Sequence, residues 1–141
     1  MNQISEKNTS ISLLGKSIIK TLAYYDIFDY PLTAEEIYYN LGTNHVSVTD
    51  IQNEIELLCK AGLTFKKSNF YLLRDDENFI TRRLEGNRLA EKKINSAYKM
   101  TKFISKFPYV RAVLLSGSIS NGYMEKDSDV DYFIITQPNR L

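Results

Sequence analysis

Apolar side chains recur every three or four residues through most of the first hundred positions, and after Pro108 they give way to β-branched and aliphatic runs of strand length. A chain whose period changes in this way folds into helices followed by a sheet, so the class to expect is α+β. Ile11, Leu14, Ile18, Leu22 and Tyr25 lay one stripe along a first helix, and Pro31 ends anything helical before it. Thr33 as N-cap and Glu36 three residues later make a capping box ahead of Ile37, Tyr38 and Leu41, with Gly42 as C-cap. A third stripe, Val48, Ile51, Ile55 and Leu58, starts behind Ser47 or Thr49 and stops at Gly62. Residues 63–66 and 70–73 then read as short strands around the turn Lys67-Ser68-Asn69.

The 141 residues carry 18 basic and 17 acidic side chains, a net charge of +1 that gives no global case for a polyanionic partner. Split by segment, residues 1–77 are acidic (7 basic, 11 acidic), residues 78–109 basic (8 and 2) and residues 110–141 near neutral (3 and 4). A single cysteine, Cys59, excludes an internally disulfide-stapled scaffold and favours a reducing compartment, with a small buried thiol as its expected state. The N-terminus has no apolar stretch of signal-peptide length and the longest later apolar run is far too short to cross a bilayer, so the expected location is cytoplasmic with no membrane partner.

Within the basic segment, Ala90, Ile94, Ala97, Thr101 and Ile104 mark one face of a long helix closed by Phe107-Pro108. Arg82, Arg83, Arg88, Lys92, Lys93, Lys99, Lys102 and Lys106 occupy its other faces, and Gly86-Asn87 is a place for a kink. Such cations suit a solvated face, a pairing with the acidic first segment, or the phosphates of a nucleotide or nucleic acid.

Residues 110–115 form a strand-length run that delivers the chain into Ser116-Gly117-Ser118, and residues 130–135 form a second such run. Side chains alternate along a strand, so Asp129 and Asp131 are expected on one face, with Cα atoms about 6.5–7 Å apart, and Val130 and Tyr132 on the other. Two carboxylates so placed suit a pair of divalent cations about 3.5–4 Å apart, and an all-oxygen donor set favours magnesium or manganese. Gly117 removes a Cβ that would block a phosphate, and a helix starting at Ser118 would turn free N–H groups toward it.

Two resemblances follow from these residues. Three short helices and a hairpin, with Tyr30-Pro31-Leu32-Thr33-Ala34-Glu35-Glu36-Ile37 at the start of the second helix, resemble a winged helix-turn-helix over about residues 10–75. That resemblance implies that residues 47–61 are a recognition helix, but Asp50, Glu54 and Glu56 stand there against Lys60, and only Lys66 and Lys67 of the wing have the sign that phosphates require. His45 falls in the turn before that helix. Gly117-Ser118-Ile119-Ser120-Asn121-Gly122-Tyr123 followed by Ser128-Asp129-Val130-Asp131-Tyr132 resembles the signature of the DNA polymerase β-like nucleotidyltransferase superfamily, closest in spacing to its minimal members. The resemblance implies that Gly117 and Ser118 contact a nucleoside triphosphate and that Asp129 and Asp131 hold Mg2+ (or Mn2+) for attack of an acceptor on the α-phosphorus.

Departures from that pattern shape the expectation. Asn121 stands where many minimal members are basic, leaving phosphate neutralisation to Lys126 or the basic helix, and the family draws a third carboxylate from a later strand. Asp127 shares the alternation but reads as a loop residue. The expected organisation is a winged helix-turn-helix at 1–77, a connecting helix at 78–109 and the first strands of a nucleotidyltransferase domain at 110–141, the N-terminal part of a longer enzyme. So cut, it is expected to lack catalytic competence and to leave strand edges open to self-association. Two other functions remain open at this point: a DNA-binding regulator whose transferase-like part senses nucleotide, and an inactive antitoxin-like interaction protein.

Overall fold

In a computed structural model, which describes residues 11–42 and 45–140, the chain is mixed α and β, with four α-helices and two small antiparallel sheets among the described residues. It divides into two compact units, residues 1–80 and 81–141.

The first unit holds α1 (Leu13–Asp26), α2 (Ala34–Leu41), α3 (Val48–Lys60), β1 (Phe65–Lys67) and β2 (Phe70–Leu72). Each helix starts where a short oxygen-bearing side chain can satisfy the free N–H groups of its first turn. Ser12 accepts from the Gly15 N–H at 2.8 Å, so α1 begins two residues after the expected Ile11. Thr33 and Glu36 form the reciprocal capping box of α2, and Ser47 and Asp50 form that of α3. Gly42 closes α2 in the left-handed conformation, φ 62°. The Ser47 hydrogen bonds hold the Asp50 carboxyl below its ordinary pKa.

The three apolar stripes meet in one core, built from Ile18 and Leu22 of α1, Ile37 of α2, Ile51, Ile55 and Leu58 of α3, and Tyr71 of β2. Leu32, also buried there, pairs with Tyr71 as an isolated antiparallel bridge, so a third extended residue joins the β1–β2 hairpin. Cys59 is half-buried beside this core with its Sγ 3.2 Å from the Thr64 hydroxyl. Arg74 ties the chain after β2 back to the end of α1: it bonds the Asp26 carboxylate at 3.0 Å, the Asp26 carbonyl at 2.8 Å and Asp29 at 2.6 Å. Those bonds raise its pKa, and its guanidinium also lies 4.5 Å from the centre of the Phe79 ring.

The second unit contains most of α4 (Glu77–Ile104), then β3 (Val110–Ser116), a 3-10 turn (Ser118–Asn121) and β4 (Asp131–Thr136). From Thr81 onward the basic helix packs within this unit. Gly86 and Asn87 lie inside one unbroken helix. Its buried residues Ala90 and Ala97 meet Ile119 and Met124, with Leu89, Ile94, Leu115 and Val130 packed around them. β3 and β4 pair antiparallel with Leu115 opposite Tyr132 and Ser116 opposite Asp131. None of the helices among the described residues is long and apolar enough to cross a membrane.

The capping box sets where α2 starts. Thr33→Ala is expected to lower stability by about 1 kcal/mol, read from urea unfolding, while Thr33→Ser retains most of it.

Candidate functional site

Strand β3 ends where Gly117 takes φ 68°, ψ −162°, a region that a side chain essentially forbids. The backbone therefore leaves the sheet immediately after Ser116 and enters the 3-10 turn. Ser120 closes that turn, its N–H and its hydroxyl both donating to the Gly117 carbonyl, at 3.2 and 2.6 Å. A Cβ on residue 117 would overlap the Asp131 carboxylate, so the glycine of the first strand and the acid of the second are brought into direct contact.

Val130 packs into the core, and the Tyr132 hydroxyl donates to the Ala97 carbonyl of α4 at 3.3 Å. Both flanking residues thus engage the helix side, while Asp131 and Asp129 are exposed. Asp129 is not on the strand. β3 has already turned away at Gly117, so nothing remains opposite residues 129 and 130 for them to pair with, and β4 begins at Asp131. One carboxylate is consequently held by the sheet and the other by the loop that precedes it. Neither makes a hydrogen bond or ion pair among the described residues, and no cluster of three or more His, Cys, Asp or Glu forms there. The donor set is two oxygen-only carboxylates, which suits a hard divalent cation.

The remaining residues singled out by sequence sit around this corner. Ser118 is half-buried at the start of the 3-10 turn, which at four residues is too short to carry the field of a full helix N-terminus. Asn121 is exposed at its end. Lys126 and Asp127 are both exposed in a turn that Ser128 and Glu125 close, the Ser128 N–H donating to the Glu125 carbonyl at 3.2 Å.

Sequence reasoning missed what fixes the loop between the two halves of the site. Met124 donates its backbone N–H to the Gly86 carbonyl in the middle of α4 at 3.1 Å, and Asn87 donates its side-chain amide to the Gly122 carbonyl at 2.9 Å. The Tyr123 ring occupies the space that a side chain on Gly86 would fill. This is the role of the glycine that the sequence suggested as a kink. Arg82 forms an ion pair with Glu125, and the buried Arg83 donates to Asn87 at 2.7 Å. Two of the seven cations on α4 therefore serve the unit's own packing.

The Arg82 guanidinium holds the Glu125 carboxyl below its ordinary pKa, while burial pushes the Tyr123 hydroxyl up. Compared with family models, with characterised proteins and with solved structures, the chain matches none of them.

Ala is the better helix former, so Gly86→Ala alone would favour α4, but the Tyr123 ring stands in the way. Gly86→Ala is expected to lower the melting temperature in the native background and to raise it, by the equivalent of about 0.5–1 kcal/mol, when Tyr123 is also Ala. Thermal unfolding of the four combinations tests this. Because the Glu125 pKa is depressed in the folded state, its pairing contributes above the ordinary glutamate range near pH ~4.3 and is lost as pH falls through the depressed value. The Met124 amide resonance should shift in that acid range, and Glu125→Gln should abolish the shift.

Proposed function

We propose that residues 110–136 form the phosphate- and magnesium-binding corner of a nucleotidyltransferase of the DNA polymerase β-like superfamily. The reaction is transfer of a nucleoside monophosphate from a nucleoside triphosphate to an acceptor. The observation that carries this reading is the contact between Gly117 and Asp131, which puts the phosphate-contacting residue of the signature beside one of its two acids. The exposed, unpaired state of Asp129 and Asp131 supports it as well, since two uncompensated carboxylates beside a glycine corner suit a cation and a polyphosphate together.

In this reading Asp131, on the strand, and Asp129, on the adjoining loop, would hold Mg2+ (or Mn2+). The metal, when bound, offsets the negative charge of the triphosphate oxygens. On the side where a Cβ would stand, Gly117 leaves room for the Asp131 carboxylate and not for a phosphate, and the Ser118 hydroxyl would donate to a phosphate oxygen. Attack by an acceptor hydroxyl or phosphate on the α-phosphorus then forms the new phosphorus–oxygen bond as the bond to pyrophosphate breaks. Helix α4, through Gly86 and Asn87, keeps the loop between the two motifs in one geometry, a positioning contribution.

The first unit we read as a winged helix, a reading supported by three helices, a hairpin and the Leu32–Tyr71 bridge. Its charges do not favour duplex DNA. Lys67 is engaged by Asp75 at 2.9 Å and Glu77 at 3.2 Å, Lys66 lies over the Tyr71 ring, and α3 exposes Asp50 and Glu56. A role in orienting a substrate or a protein partner fits these charges better.

Magnesium-dependent binding of ATP or another nucleoside triphosphate, measured by calorimetry, tests the proposal. Asp131→Asn combined with Asp129→Asn should reduce it at least tenfold with the circular dichroism spectrum unchanged. Binding that survives the double substitution, or that ignores magnesium, rejects the assignment.

A further inference from the structure

Between Glu91 and Glu125 the sequence contains six cations and no carboxylate. Five of the six, excluding Arg111, lie between Lys92 and Lys106, on α4 and just past its end. Three of them, Lys92, Lys99 and Lys102, together with Arg88, fall at spacings of four, seven and three residues, which place them on a single face of α4, and Lys106 follows four residues later, just past the helix end. That face lies opposite the one built from Ala90, Ile94 and Ala97, which is already packed against the second unit's own core. All five side chains are exposed and none forms an ion pair among the described residues. The stripe from Arg88 to Lys102 is about 21 Å long at 1.5 Å per residue.

Two large aromatic side chains flank this row. Tyr98 stands one turn before Lys102 and Phe103 one turn after Lys99, exposed by 55% and 57%, respectively. Phe103 keeps its ring edge-on to Phe107 with centroids 5.3 Å apart.

We propose that this face of α4 is a binding surface for single-stranded nucleic acid, its cations tracking the phosphate backbone and Tyr98 and Phe103 stacking unpaired bases. A row of cations along one face matches a polymer with one negative charge per repeat. Exposed aromatics beside them have no use for a duplex, whose bases are already stacked, whereas they supply the sequence-tolerant platform that single strands need. A membrane surface is less well matched, because the apolar side of this helix is committed to the core and unavailable for insertion. The inference goes beyond the transferase reading and is tested with neither metal nor nucleoside triphosphate, so its failure leaves that reading untouched.

Fluorescence anisotropy of a labelled 12-nucleotide oligothymidylate, titrated with the full chain at several salt concentrations, tests the surface. At about 0.7 per neutralised phosphate, five contacts give a log–log salt slope near −3.5, so a fourfold rise in salt weakens binding about 100-fold. Lys92→Gln with Lys99→Gln should flatten the slope by about 1.4, and neutralising all five cations to Gln should remove the binding. Tyr98→Ala and Phe103→Ala should each cost about tenfold for the single strand and leave residual duplex binding unchanged. The proposal is overturned by a slope that the Lys92/Lys99 pair does not alter, by equal affinity for a duplex of the same length, or by binding to anionic vesicles alone. Salt-sensitive self-association with no oligonucleotide binding also overturns it, since the acidic residues 1–77 of a second copy would then be the partner.

Discussion

The corner at Gly117 depends on a backbone conformation that a single residue type reaches without strain. With φ near 68° and ψ near −162°, the chain leaves β3 at once, and the absence of a Cβ leaves room for the Asp131 carboxylate. From that one turn follow the end of strand pairing at Ser116–Asp131, the placement of Asp129 on a loop, and the side-by-side position of glycine and acid. Any side chain at 117 would have to displace the acid or bend the strand.

A corner of this kind is useful only if the ten residues between its halves keep a fixed path. Here the path is fixed from outside, by a helix that the chain has already completed. Gly86 contributes an open side and a carbonyl acceptor, Asn87 a side-chain donor, and Arg82 a charge for Glu125. Ile119 and Met124 add the apolar part of the attachment by joining Ala90 and Ala97. The same helix thus presents two surfaces of opposite kind, a small-residue face that receives the loop and a charged face directed to solvent.

The first unit is stabilised in a more local way. Its helix starts are set by Ser12, Thr33 and Ser47, its core by three stripes of Ile and Leu, and its closure by Arg74 reaching two aspartates at the end of α1. Local signals of this sort are readable without coordinates. The caps of α2 and α3, the position of Gly42 and the Ser68-Asn69 turn all stand within a residue or two of where spacing and residue type place them. The site residues were readable in part: Gly117 and Asp131 come together, while Asp129 was expected on the strand and lies before it. Alternation along a strand says which side a residue faces only while the strand persists, and its end is decided by the neighbour that stops pairing.

The amino-acid order by itself determined the helical stripes, their caps, the two strand runs and the charge of each segment, because these depend on side chains a few positions apart. Tertiary structure alone decided that Gly86 makes room for Tyr123, that Leu32 pairs with Tyr71, and that Arg82 and Arg83 are used internally while Arg88, Lys92, Lys99 and Lys102 face water. Those contacts join residues up to 43 positions apart, as Arg82 and Glu125 are, and no local preference carries information over that distance.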